Sequence, residues 1–127
     1  MSDKTKIRIY VIDDDTSVCQ ALKMLFLSAE MEVQTFELVE EFLECIPREE
    51  KACLIADIKM RGLGGFELQQ ELVERGIKIP VIFLTAFDSD ENRLRAKQAG
   101  AVGYLQKPVD DQALLDTIHW ALSSAID

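Results

Sequence analysis

Cys53-Leu54-Ile55-Ala56-Asp57 is a short apolar run that ends on a carboxylate and precedes a Gly-rich segment. Such a run is typical of a buried strand, with Asp57 as its last residue. In open parallel α/β sheets, ligands and reacting groups gather at the carboxyl ends of the strands. We therefore predict that Asp57 lies at the functional edge of a parallel sheet.

Three further apolar runs also end on residues that carry chemistry. In chain order, they are Ile7 to Ile12 before Asp13-Asp14-Asp15, Val81 to Leu84 before Thr85, and Gly103 to Gln106 before Lys107-Pro108. If these strands are parallel to the first, an acid pair, a central carboxylate, a hydroxyl and an ammonium group meet at one edge. That convergence predicts a single site.

The segments between these runs predict helices, because apolar residues recur there at three- and four-residue spacing. Asp15 or Thr16 can cap the first helix, and Asp110 can cap the last. In the third helix, four apolar residues have this spacing: Phe66, Leu68, Leu72 and Val73. Another run, Glu32 to Phe36, alternates like a half-exposed edge strand. Strict alternation of five strands with five helices predicts an α/β fold with a doubly wound, five-stranded parallel sheet.

The composition restricts the possible partners and location. A chain of 127 residues is the size of one domain, and its net charge of −9 would repel nucleic acid and anionic lipid. We therefore expect protein partners and no direct contact with nucleic acid or membrane. Three cysteines without a CxxC pair favour core residues in a reducing compartment. No apolar run approaches the ~18 residues that span a bilayer and no signal peptide is evident, so a cytoplasmic protein is expected.

The residues at the strand ends suit phosphoryl transfer to an aspartate. A carboxylate such as Asp57 can attack a phosphoryl donor and form an acyl phosphate. Both groups are anionic, so a divalent cation is needed, and oxygen ligands favour Mg²⁺. Asp13 and Asp14 can face this metal together with Asp57. Lys107 would supply positive charge, and Thr85 a hydrogen-bond donor, to the phosphoryl oxygens.

In these residues the chain resembles a two-component response-regulator receiver domain of the CheY-like superfamily, over nearly its whole length. The matching positions are the acid pair Asp13-Asp14, the phosphoacceptor Asp57, the switch hydroxyl Thr85, the switch aromatic Tyr104 and the invariant lysine Lys107. Pro80 to Thr85 and Ala99 to Leu105 are most similar to FixJ-type receivers. The resemblance implies a flavodoxin-like (βα)5 fold with strand order 2-1-3-4-5.

The resemblance also implies a metal site. In the family, Mg²⁺ binds the second acid and the acceptor directly, which are Asp14 and Asp57 here. The third protein ligand is a backbone carbonyl two residues after the acceptor, that of Lys59, and Asp13 would act through water. The Lys107–Pro108 peptide bond is expected to be cis.

The implied activity is that of a switch. A sensor histidine kinase would be the phosphodonor, and the domain would catalyse only its own phosphorylation and dephosphorylation. Thr85 would move toward the phosphoryl group and Tyr104 would turn inward. The surface of the fourth helix, fifth strand and fifth helix would change and promote a homodimer. FixJ-type receivers usually precede a helix-turn-helix domain, so we assign residues 1–127 to the receiver and expect the DNA-binding domain of a transcription regulator to be absent from this sequence.

Three alternatives stay open. The chain could be a stand-alone single-domain receiver, or a receiver used purely as a docking scaffold. It could also be a haloacid-dehalogenase-like phosphatase, whose nucleophile begins a DxDx[TV] motif after the first strand. Asp13 and Asp15 start that motif, but its fifth position is Ser17, and Asp57 is left without a role.

One stretch departs from the family pattern. Receivers often have Met-Pro-Gly after the acceptor strand, whereas this chain has Met60-Arg61-Gly62. Lys59 and Phe87 lie two residues past Asp57 and Thr85, respectively. Our hypothesis is that these two side chains flank the route of water to the acyl phosphate and set its lifetime.

Overall fold

The fold is an alternation of strands and helices, described by a computed structural model over residues 7–45, 51–60 and 62–126. The described strands are β1 (Arg8–Ile12), β2 (Glu32–Phe36), β3 (Ala52–Asp57), β4 (Val81–Thr85) and β5 (Gly103–Gln106). The described helices are α1 (Thr16–Ser28), α2 (Val39–Glu44), α3 (Gly65–Glu74), α4 (Asp90–Gln98) and α5 (Asp111–Ile126). This succession confirms the predicted α/β class.

The strands form one parallel sheet in the order β2-β1-β3-β4-β5, as predicted, with β2 at an edge. The register sets the ends of the strands side by side. Ile12 pairs with Ala56, so the residues that follow β1 lie beside Asp57 at the end of β3. Thr85 pairs with Gln106, so Lys107 lies just beyond the end of β4. The four polar strand ends therefore meet at one edge.

Both faces of the sheet are covered, which explains why the central strands are almost continuously apolar. In β3, Leu54 and Ala56 face a core built with α2, α3 and Ala96 of α4. Cys53 and Ile55 face the opposite core, built with α1 and α5. Burying each large apolar side chain stabilises the fold by about 1.5–3 kcal/mol relative to leaving it exposed.

Side chains at the functional edge cap three helices. Asp15 caps α1 by accepting a hydrogen bond from the Ser17 backbone N–H at 2.9 Å. Ser89 caps α4 in the same way through Asn92, at 3.0 Å. Asp110 accepts a hydrogen bond from Ala113 at 2.9 Å and caps α5, as predicted. Because each helix follows a parallel strand, these N-termini lie at the same edge as the strand ends.

Some local details differ from the sequence-based expectations. Val73 is 66% exposed rather than buried, because it follows the buried Leu72 by about 100° around the helix. The second helix ends at Glu44. The apolar spacing of Val39, Phe42, Leu43 and Ile46 predicts a helix that stops at Pro47, but Ile46 and Pro47 lie outside the described residues. The Lys107–Pro108 peptide bond is cis, as predicted. Across the described residues, no helix is both long and apolar enough to cross a bilayer.

Candidate functional site

Three carboxylates converge at the carboxyl edge of the sheet. Asp13, Asp14 and Asp57 each place an oxygen within 4.8 Å of the others. Asp13 and Asp57 are buried, whereas Asp14 is partly exposed. Carboxylate oxygens are the ligands that Mg²⁺ prefers, and one or two of them are enough when water completes the coordination. The donor set therefore fits a magnesium ion at a site open to solvent on one side.

Lys107 joins two of these acids. Its ammonium nitrogen lies 2.7 Å from Asp13 Oδ2 and 3.0 Å from Asp57 Oδ2. Burial raises the pKa of Asp13, against the opposing effect of its hydrogen bond to Lys107. Burial also disfavours the ammonium form, but the hydrogen bonds to both carboxylates outweigh it and raise the pKa of Lys107. The lysine is thus charged at neutral pH and offsets part of the negative charge.

The other oxygen of each buried acid is held by the backbone. Asp13 Oδ1 accepts a hydrogen bond from the Asp15 N–H at 2.9 Å, and Asp57 Oδ1 accepts one from the Lys59 N–H at 3.1 Å. Both are bonds to a residue two positions onward, a local turn that aspartate favours. Each carboxylate is therefore fixed on one side by its own loop and on the other by Lys107.

Thr85 is fully buried at the end of β4. Its hydroxyl oxygen accepts a hydrogen bond from the Phe87 N–H at 2.8 Å, and its carbonyl accepts one from the Lys107 N–H at 2.8 Å. A hydroxyl that accepts such a bond keeps its own proton to donate. Thr85 therefore connects the end of β5 with the β4–α4 loop, and its hydroxyl can donate to a further acceptor.

The remaining expected site residues lie beside the acid cluster. The Lys59 backbone contacts Asp57, and the Lys59 ammonium lies 5.2 Å from the centroid of the Phe87 ring. Tyr104, paired with Phe83 in the sheet, donates a hydrogen bond from its hydroxyl to Asp88 at 3.0 Å. Arg93 also binds Asp88.

Sequence reasoning singles out neither Asp88 nor Arg93. A contact between residues five apart, across the start of a helix, follows neither the helical nor the strand period. The signal that could have found it is the position of an acid three residues beyond Thr85.

A family model for the response regulator receiver domain matches residues 9–119. The chain belongs to the response-regulator receiver family. It is thus a signalling domain rather than a classical enzyme, and the family match separates it from haloacid-dehalogenase-like phosphatases.

Similar proteins include transcription regulators. This receiver domain is 38% identical to the transcriptional regulatory protein TdiR of Thauera aromatica over 115 residues, which cover 91% of this chain and 51% of the relative. It is 36% identical to the response regulator protein TodT of Pseudomonas putida over 125 residues, 98% of this chain and 55% of the relative. The receiver domain therefore spans about half the length of these relatives.

Solved structures confirm the fold. The response regulator StyR is 41% identical, with a TM-score of 0.83 over 93% of this chain and 60% of that one. The FixJ-N structure is 27% identical, with a TM-score of 0.85 over 97% of this chain and 96% of that one. The receiver domain shares the CheY-like flavodoxin fold of these neighbours. One of them is FixJ-N, which agrees with the resemblance of the sequence to FixJ-type receivers.

Proposed function

We propose that this receiver domain accepts a phosphoryl group on Asp57 from a phosphohistidine of a sensor histidine kinase. The observation that carries the proposal is the position of Asp57. This buried carboxylate lies 3.0 Å from an ammonium group and beside two further acids. In the transfer, a carboxylate oxygen of Asp57 forms a bond to phosphorus, and the bond from phosphorus to the histidine nitrogen breaks.

Magnesium is the proposed cofactor. Asp14 and Asp57 would bind it through their carboxylates and Lys59 through its backbone carbonyl, with Asp13 acting through water. When bound, the ion neutralises charge that would otherwise keep the carboxylate and the anionic donor apart. The clustering of the three acids supports this assignment.

Two residues would stabilise the transferred group. Lys107 is already within hydrogen-bond distance of Asp57, so its ammonium can pair with a phosphoryl oxygen. Thr85 ends the neighbouring strand, and its hydroxyl proton can be donated to another phosphoryl oxygen. Both groups thus act by positioning and electrostatics, as in other phosphoryl transfers.

We further propose that phosphorylation moves Thr85 and Tyr104 and changes the surface formed by α4, β5 and α5. Leu94 on α4 and Trp120 on α5 are 55% and 60% exposed, and a homodimer through this surface would bury them. The output would be that of a transcription regulator, since one relative is a transcriptional regulatory protein. A net charge of −9 favours contact with DNA through a separate domain. We place this activity in the cytoplasm and not at a membrane.

The test is the intact mass after incubation with acetyl phosphate and Mg²⁺. The wild type should gain one phosphoryl group, whereas Asp57→Asn should gain none. Asp116→Asn, which changes an exposed acid on α5, serves as the matched control and should behave like the wild type. An adduct on Asp57→Asn, or no Mg²⁺-dependent adduct on the wild type, would contradict the proposal.

A further inference from the structure

Three side chains from three consecutive elements meet beside the site. Asp88 lies in the β4–α4 loop, Arg93 on α4 and Tyr104 on β5. Arg93 donates to both oxygens of Asp88, from Nε at 2.8 Å and from Nη2 at 2.6 Å. The Tyr104 hydroxyl donates to Oδ1 of the same carboxylate at 3.0 Å. The Arg93 guanidinium carbon also lies 5.8 Å from the centroid of the Tyr104 ring.

This arrangement is stronger than an ordinary surface ion pair. An isolated, exposed ion pair contributes little to the stability of the fold, but a bidentate arginine–carboxylate pair within a network is an exception. The Asp88 side chain is only 20% exposed, although that of Arg93 is 61% exposed. Arg93 holds the pKa of Asp88 at about 2, so the carboxylate is charged at neutral pH. Burial and the bond to Asp88 raise the pKa of Tyr104, so its phenol keeps the proton that it donates.

The three residues are linked to Thr85 through the backbone. Asp88 directly follows Phe87, whose N–H donates to the Thr85 hydroxyl at 2.8 Å. Tyr104 pairs with Phe83, and side chains two apart in a strand share a face. Thr85 and Tyr104 therefore project to the same face of the sheet from adjacent strands. A movement of Thr85 away from Phe87 would shift the loop that carries Asp88.

We infer that Asp88 and Arg93 are positioning residues that clasp Tyr104 in the unphosphorylated domain and so oppose switching. This inference rests on the proposed function, since it concerns how phosphorylation of Asp57 is transmitted. An interaction that is present in one state and lost in the other biases the equilibrium toward the first. In this clasp of Asp88, Arg93 and Tyr104, the Tyr104–Asp88 hydrogen bond joins β5 to the β4–α4 loop, so a movement of the loop away from β5 would break it. The clasp therefore sets how readily the domain switches.

The first experiment tests whether the clasp exists. A double-mutant cycle with Asp88→Ala, which removes the acceptor, and Tyr104→Phe compares urea unfolding of the single and double variants. Tyr104→Phe keeps the ring and removes only the hydroxyl. The unfolding equilibrium constants should be non-additive by at least about twofold, because the two changes remove the same hydrogen bond. Additive effects would overturn the clasp.

The second experiment tests whether the clasp opposes switching. Binding of beryllofluoride, a phosphoryl analogue, is measured with Mg²⁺ by calorimetry. Asp88→Ala, Arg93→Met and Tyr104→Phe should each tighten it by about fivefold, because coupling between two sites is reciprocal. Arg93→Lys should have a similar effect, since an ammonium group cannot grip both carboxylate oxygens. Lys97→Met changes an exposed charge on α4 and should leave the affinity as in the wild type.

The outcomes separate this inference from the proposed function. If the double-mutant cycle shows coupling between Asp88 and Tyr104, and the variants bind beryllofluoride more tightly, the results support the inference that the clasp opposes switching. Coupling with unchanged or weaker binding overturns that role, even if every variant still gains a phosphoryl group on Asp57 from acetyl phosphate. If the wild type gains no such group, the proposed function fails, and the cycle alone then decides whether the clasp exists.

Discussion

Lys107 Nζ lies 3.0 Å from Asp57 Oδ2, although the two residues are 50 positions apart in the chain. The same nitrogen lies 2.7 Å from the buried Asp13. Lys107 therefore serves as an internal cation for the acid cluster. Lys107 both stabilises the acid cluster and repels the Mg²⁺ ion that, under the proposed function, binds there.

Replacing Lys107 with methionine should accordingly have two opposite effects. Without Mg²⁺, the variant should be less stable by about 3 kcal/mol, because a buried carboxylate loses its partner. That value is the lower end of the usual range, since the Lys107 side chain is 17% exposed. With a saturating concentration of Mg²⁺, much of the loss should be recovered, and the affinity for Mg²⁺ should rise several-fold. Urea unfolding with EDTA or Mg²⁺, and calorimetry of Mg²⁺ binding, measure both effects.

Lys97→Met is the matched control for this variant, because Lys97 is exposed on α4. It should change neither stability nor Mg²⁺ affinity appreciably. Weaker Mg²⁺ binding by Lys107→Met would show that the lysine organises the acids more than it competes with the metal.

The contact between Lys59 and Phe87 should set the lifetime of the acyl phosphate. The Lys59 ammonium lies 5.2 Å from the Phe87 ring centroid, and our hypothesis is that the two side chains flank the route of water to Asp57. Replacing both with serine removes this pair and opens the approach of water to Asp57, so dephosphorylation should accelerate several-fold. Intact mass followed over time gives the rate. Val73→Ser, at an exposed position on α3, is the control, and an unchanged rate in the double variant would reject the hypothesis.

Gly65 should be intolerant of any side chain. A Cβ atom there would lie 2.8 Å from the Asp57 carbonyl oxygen and 3.1 Å from Cε1 of Phe83. Gly65→Ala should therefore displace the end of β3 and destabilise the fold by about 1–3 kcal/mol. Urea unfolding measures the change, with the exposed Gln70→Ala on the same helix as the control. A difference from the control of less than about 0.5 kcal/mol would indicate that β3 and α3 adjust without cost.

The thiols should differ sharply in reactivity. Burial raises the pKa of Cys19 to about 11 and that of Cys53 to about 12, whereas Cys45 is exposed. Iodoacetamide at pH 8 should therefore modify Cys45 quickly and the other two only after unfolding, because the thiolate is the reactive form. Peptide mass mapping of native and urea-treated protein distinguishes the sites. Rapid modification of Cys53 in the native protein would contradict the burial described here.

The same two thiols make stability fall in alkali. In the folded state the pKa of each thiol is raised above its ordinary value of 9.0, so each thiol holds its proton more tightly there. Their contribution to stability is complete below that value and is lost as the pH rises toward 11 and 12. The urea midpoint should therefore decline above pH 9. Cys53→Ala should lower the midpoint at pH 7 through lost packing but flatten the decline, whereas Cys45→Ala should leave the decline unchanged.

The sheet and the acid cluster were predictable because they follow from short patterns. A strand buried on both faces, such as β3, is an uninterrupted apolar run, and the residue after such a run lies at the edge of the sheet. Asp57 and Thr85 follow that rule, whereas Lys107 comes after β5, a half-buried strand that ends on the exposed Gln106. The order of the strands and the cis bond before Pro108 needed the family resemblance as well.

Side-chain direction within an element was less predictable. Val73 has the spacing of a buried residue, yet α3 presents a narrower apolar side and leaves it exposed. The binding of Asp88 by Arg93 and Tyr104 depends on three rotamers and on how α4 leaves its loop. No periodic pattern records that geometry.

The Lys107–Asp13 ion pair joins residues 94 positions apart, and this has a consequence for the chain as it is synthesised. A nascent chain that has emerged only through β4 carries the carboxylates but lacks their counter-ion. Its strand ends would repel one another until β5 docks at the far side of the sheet. Under the proposed function, a kinase could therefore use only molecules in which that last strand is in place, and the capacity to be phosphorylated would report that folding is complete.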